Sequence, residues 1–320
     1  MRLKLIPKET KFDFFRKLRL WLGLSSFFLF LSLLSVITQN LNFGIDFLGG
    51  TTIRTQSTQA VDVGSYRDAL SSLELGDISI SEVFDPNFGD NQNVAMIRIQ
   101  QQDAGEKTVS EVTRGALSAL RKFDANLIFV SVENVGPKVS GELIQTAIIA
   151  VVLAIGAVLV YIWLRFEWQF AQGAVAALIH DVLLTIGIFS IFQIKFDLAI
   201  IAALLTIVGY SLNDTVVVFD RVRENLRKYK KRPLKEVLNL SINETLSRTV
   251  ATSVTTLLAL IALFILGGDV IRGFVFAMIW GVIVGTYSSV FIASSTLLRL
   301  GVKRDWSKPN AEAGTQVPQE

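Results

Sequence analysis

Two charged residues, Asp214 and Arg248, lie in or at the edge of stretches that are otherwise apolar enough to cross a bilayer. An aspartate near the centre of a membrane helix costs roughly 2.5 to 3.5 kcal/mol to insert, so such a residue faces water or a partner and commonly handles protons or ions. Asp214 sits in Gly209-Tyr-Ser-Leu-Asn-Asp-Thr-Val-Val-Val-Phe-Asp-Arg-Val-Arg-Glu-Asn225, which starts inside the apolar run 197–219 and ends in a dense basic segment. Helical spacing puts Tyr210, Asn213, Asp214 and Val217 on one face. At 1.5 Å per residue, Asp214 lies about 7 to 8 Å along the axis from Phe219. Arg248 enters with the next apolar run at a similar depth. Facing each other, carboxylate and guanidinium would each stabilise the other's charge; separated, the carboxylate becomes a place for a proton. The bland alternative is that Arg248 snorkels to the interface and anchors its helix.

His180 and Asp181, midway along the run 170–193, form a second polar site. Imidazole titrates near neutral pH. The alternatives are an Asp181 that is part of a polar network with Tyr210 and Asn213, or one hydrogen-bonded to a neighbouring helix with His180 as packing. Gly273, Ala277, Gly281, Gly285, Ser289 and Ala293 recur every four residues, a small-residue stripe of the kind that lets helices approach closely. It is a packing surface, with Gly273, Gly281 and Gly285 as its narrowest points. Thr249, Thr252, Ser253, Thr255 and Thr256 read as inter-helix hydrogen bonders, with the lining of a wet path as the alternative.

The elements that must position these residues follow from composition. The chain has 320 residues, 51% of them hydrophobic and only 18% charged, with 22 Phe. Six apolar runs, at 20–37, 142–164, 170–193, 197–219, 245–266 and 271–297, are long enough to span. The net charge of +3 comes with basic residues clustered beside these runs, which fits topology determination rather than nucleic-acid binding. The chain has no cysteine, so disulfides and thiolate metal sites are excluded, and one histidine excludes a bis-histidine haem. No metal site and no cofactor are expected; the coupling ion would be the proton.

Residues 1–19 are polar and basic, and the run 20–37 reads as an uncleaved first span. The hydrophilic stretch 38–141 alternates between periodicities: strand at Phe43 to Thr55, helix at Val61 to Leu73, strands at Ile78 to Phe84 and Val94 to Gln100 across a turn at 85–93, helix at Thr108 to Phe123, strand at Leu127 to Val132. That order predicts a small α+β domain of the ferredoxin-like, split βαβ kind. The basic loop 220–244 holds eight Lys and Arg and the tail 300–320, disordered from 305, three more, while the loops at Lys195 and Arg272 hold one each. The positive-inside rule then places both termini and the 220–244 loop in the cytoplasm and the 38–141 domain outside. The fold class is a polytopic α-helical membrane protein of six spans with an α+β domain between the first two.

Four motifs resemble the SecF branch of the SecD/SecF family: Phe43-Gly-Ile-Asp-Phe-Leu-Gly-Gly-Thr51, Val135-Gly-Pro-Lys-Val-Ser-Gly141, the Gly209 to Arg221 segment, and Asn243-Glu-Thr-Leu-Ser-Arg-Thr249. They occur in the family's order, and the likeness runs from about Phe12 to Arg299. The resemblance implies an RND-type half in the bacterial inner membrane. Its second half would be SecD, and it would assist SecYEG in exporting unfolded preproteins at the expense of the proton-motive force. YajC and YidC would be further candidate partners, lipids the surroundings, and nucleic acid no partner. The family's membrane Asp and Arg fall on Asp214 and Arg248. Three rival readings remain: a proton-coupled RND transporter of lipids or small molecules, for which 38–141 is short; an intramembrane aspartyl protease, which needs Asp181 and Asp214 to share one site; and a structural subunit that never titrates.

Overall fold

The computed structural model describes residues 10–57, 61–73, 75–83, 93–100, 109–122, 124, 126–135 and 137–302. The turn at 85–93 lies outside them apart from Asn93, and so does the tail from 303 on. Among the described residues, six helices are long and apolar enough to cross a membrane. They are built on α1 (Leu18–Gln39), α5 (Pro137–Arg165), α6 (Trp168–Ile191), α7 (Leu198–Lys228), α8 (Leu234–Leu266), and α9 (Gly268–Ser288), which continues through a π turn (Ser289–Ala293) into α10 (Ser294–Leu300).

Between α1 and α5 come α2 (Ile45–Leu48), β1 (Gly50–Ser57), α3 (Val63–Ser71), β2 (Ile78–Val83), β3 (Asn93–Gln100), α4 (Val109–Leu120) and β4 (Ile128–Val135). The strands form one antiparallel sheet in the order β2-β3-β1-β4. Every second residue of β1 is buried, Ile53 among them, and the two helices close the core through Tyr66, Leu70, Val112 and Leu120. The order of elements is that of a split βαβ fold. One expectation is corrected: Phe43 to Thr55 is not one strand. Phe43 makes an isolated bridge to Phe196, a helical turn follows, and the strand starts at Gly50. Gly49 and Gly50 (φ 79° and 157°) supply backbone that a side chain would resist, and they break helix from strand.

In the membrane, packing reverses the soluble rule. The buried residues of α1 are Ser25, Ser32 and Ser35, while Leu20, Phe27, Phe30 and Ile37 are exposed. Lipid rewards apolar surface as well as a core does, so helices associate through small residues and hydrogen bonds. Ser190 donates to the Asn40 carbonyl (2.8 Å), so the contact between Ser35 and Ser190 (2.8 Å) has Ser35 as donor. Opposite Ser32 stands Gly187, where a Cβ would meet the Ser32 Cα at 2.8 Å.

The basic loop expected at 220–244 is mostly helix. α7 and α8 run past the apolar stretches and turn back at 229–233. Arg221 holds them together through Glu244 (Nε to Oε2, 2.7 Å), and Asn225 donates to the same oxygen at 2.6 Å. The chain before α1 crosses this hairpin: the Asn243 side chain accepts from the Phe12 amide (2.9 Å) and donates to its carbonyl (2.8 Å), and Asn239 accepts from the Phe14 amide.

Candidate functional site

Asp181 is completely buried where α6, α7 and α9 meet. A carboxylate there is tolerable only if its lone pairs are used. Oδ2 accepts from Ser211 of α7 (2.6 Å) and Ser288 of α9 (2.7 Å), and Oδ1 lies 3.0 Å from His180 Nδ1. An ionised Asp181 only accepts, which makes Nδ1 the donor; in the neutral ring Nε2 is then the acceptor. Nε2 is buried and has no partner among the described residues. The imidazole stacks on Tyr287, whose hydroxyl donates to the Trp21 carbonyl (2.9 Å) and therefore accepts from Ser25 (2.7 Å). One polar seam thus ties α6 to α1, α7 and α9.

Asp214 is one turn beyond Ser211 on α7, and its surroundings differ. It is 6% exposed, yet Oδ2 has no hydrogen-bond partner among the described residues. The groups that act on it are the Thr249 hydroxyl and, through its field, the exposed Arg248 guanidinium, both from α8. Neither closes a bond: Thr249 Oγ1 is itself buried and unpartnered, and no ion pair joins Arg248 to Asp214. A buried carboxylate oxygen left open in this way has the lone pairs to accept a proton or a cationic partner.

Tyr210 lies one turn before Asp214, its hydroxyl buried and without partner among the described residues, while Asn213 is exposed. Asp181 and Asp214 share no hydrogen-bonding group, so the two-carboxylate arrangement that a protease needs is not formed. The small-residue stripe of α9 lies along α7. A Cβ on Gly273 would meet Ile200 at 3.4 Å, one on Gly281 would meet Ile207 at 2.4 Å, and one on Gly285 would meet Ser211 at 3.2 Å. The close approach at Gly285 brings Ser211 and Ser288 to the same carboxylate oxygen. Sequence reading missed Ser211, Ser288, Tyr287 and Ser25. For Ser211 a signal exists, the i, i+3 spacing to Asp214; the others become visible only when helices are docked.

Six spans, an α+β domain looped out after the first, and acids buried in the bundle define a multi-pass membrane protein of the transport kind. The family model for the C-terminal part of the protein export membrane proteins SecD and SecF matches residues 116–303, and the model for the SecD/SecF GG motif matches 35–61. The chain is 61% identical over 315 residues to protein translocase subunit SecF of Cereibacter sphaeroides, covering 98% of this chain and 97% of that one. It is 42% identical to the Rickettsia rickettsii protein of the same name, over 96% and 97% of the two. It belongs to the SecD/SecF family, in the SecF branch. A crystal structure of SecDF in a super-membrane-facing form superposes with TM-score 0.74 at 34% identity, covering 93% of this chain and 40% of that one. SecDF of Thermus thermophilus, described as a translocon-associated membrane protein, gives 0.72 at 33%, over 94% and 40%. The chain therefore spans about two fifths of the SecDF chains it matches.

Proposed function

We propose that this chain is one half of a proton-driven protein-export machine, with a SecD subunit as the other half, assisting preprotein passage through the SecYEG channel. The relatives' shared name and the two-fifths coverage of SecDF support this division between chains. Asp214 is the proton-binding group and Arg248 its displaceable counter-charge. The observation that carries this assignment is the buried Asp214 oxygen left without a partner beside an Arg248 that is near but unpaired. Of the carboxylates buried among the described residues, Asp124 and Asp181 have hydrogen-bond donors and Asp214 has none.

Binding a proton removes the reason for Arg248 to approach; losing it restores the attraction. Moving one charge through 100 mV releases about 2.3 kcal/mol, enough to bias two packings of α7 against α8 by more than tenfold. Asp181, His180 and Tyr210 form the polar surround, and the α+β domain lies on the periplasmic side with the basic α7–α8 hairpin in the cytoplasm. The test is export of a secreted precursor into membrane vesicles carrying Asp214→Asn, with insertion and SecD association verified. Loss of the proton-stimulated component with assembly intact is expected. Unchanged stimulation would reduce the chain to a scaffold.

A further inference from the structure

The external domain is joined to the bundle by more than its two chain connections, and the extra joint is made on the helix that carries Asp214. Asp46, in the helical turn α2, uses both oxygens. Oδ1 accepts from Arg98 Nη1 of β3 at 2.9 Å, and Oδ2 accepts from the amide of Leu198, the first residue of α7, at 3.3 Å. One carboxylate therefore touches the sheet on one side and the head of α7 on the other. The surroundings hold it there. The Gly44 amide donates to the Phe196 carbonyl and the Phe196 amide to the Asn42 carbonyl, each at 2.8 Å, and Asn42 Nδ2 donates to Gln193 O at 2.8 Å. Phe43 and Phe47 pack on Phe196, and Lys195 pairs with Asp77 at the start of β2. A Cβ on Gly44 would come within 3.3 Å of the Asp197 Cβ, so the clasp depends on bare backbone at that point.

We propose that Asp46 is a positioning residue that couples displacement of α7 to the external domain through Arg98. The inference rests on the proton-coupled reading above. Asp46 meets the first residue of α7 and Asp214 lies midway along the same helix: sixteen residues, about 24 Å at 1.5 Å per residue, separate Leu198 from Asp214. A helix is stiff along its axis, so a shift that starts where α7 faces α8 arrives at Leu198, where Asp46 passes it to β3. The Asp46–Arg98 pair is partly exposed, at 21% and 41%. Such pairs add little to stability. Removing one therefore tests coupling with the fold intact.

The experiment is proton-stimulated export of a secreted precursor by the full chain assembled with SecD in vesicles. Arg98→Gln, Asp46→Ala, the double variant and Arg98→Lys are compared, with Asp214→Asn as control. Arg98→Gln leaves Asp46 free to cap α7, and should still cut the proton-stimulated component several-fold while the component seen without a proton gradient stays unchanged. Asp46→Ala should do the same or more, the double variant should be no worse than Asp46→Ala, and Arg98→Lys should retain most of the stimulation. Full stimulation in Arg98→Gln, or losses that multiply in the double variant, would overturn the coupling role. If Asp214→Asn stops the stimulation while Arg98→Gln spares it, this inference alone fails; if Asp214→Asn is itself silent, the proton reading fails and the coupling role with it.

Discussion

Asp181 and Asp214 are two aspartates buried in the same bundle on neighbouring helices, and only one of them is finished. Asp181 has donors on both oxygens, drawn from three helices. Asp214 has an oxygen without a hydrogen-bond partner among the described residues, with Thr249 and Arg248 as the groups that bear on it. Removing a carboxylate that holds helices together leaves its donors stranded, whereas removing one that lacks partners strands nothing. A completed site resists change, and an incomplete one is able to switch.

The contrast is sharpest in the stability of the solubilised protein, read by thermal unfolding in detergent. Asp181→Ala should have the largest effect, at about 1 to 3 kcal/mol for each group stranded, because it leaves His180 Nδ1 and the Ser211 hydroxyl buried without their acceptor. Ser211→Ala should lose about 1.5 to 3 kcal/mol, the range for a hydrogen bond to a charged group. Ser288→Ala should lose less, since its single proton is shared between Asp181 (2.7 Å) and the Gly285 carbonyl (3.1 Å). Asp214→Asn should change stability by under about 1 kcal/mol while removing proton-stimulated export. A stability loss at Asp214 as large as that at Asp181 would collapse the distinction between the two sites.

The smallest effect lies in the α+β domain. The Asp62 carboxylate caps α3, and the Ser65 hydroxyl, followed by the Gly64 amide, holds it below the usual carboxylate range. A depressed folded value means that its contribution is present above the ordinary aspartate pKa and is lost as pH falls through the lower folded one. Hydrogen exchange at the Gly64 amide should therefore gain protection as pH rises through the acid range, and Asp62→Ala should abolish that dependence.

The spans were readable because hydropathy alone determines which segments enter the membrane, and the strand–helix order of 38–141 because its periodicity switches cleanly. What hydropathy cannot show is which face of a span meets protein. Ser25, Ser32 and Ser35 look like tolerated interruptions in an apolar run until α6 is placed beside them. Asp214 stood out as a lone charge, but Asp181's character depends on Ser211 and Ser288, thirty and 107 residues away in the chain. The ends of α7 and α8 were misplaced for a different reason: charged residues end a hydrophobic window without ending a helix. The strand expected from Phe43 failed at two glycines whose backbone angles, not their neighbours' propensities, set the break.

The π turn at Ser289–Ala293 acts as a vernier. A stripe repeated every four residues overruns a 3.6-residue turn, so it creeps about 40° around the helix at each step. Left uncorrected, the last small residues of α9 would have rotated away from their neighbours. The wider turn takes up the excess, and the Ala293 carbonyl ends up where a Cβ on Gly173 of α6 would be 3.0 Å away. Forcing ordinary winding through 289–293 with every residue kept would swing everything after it, Arg299 included, by about 100°, whereas deleting one residue there would restore ordinary winding and leave the following residues nearly in place.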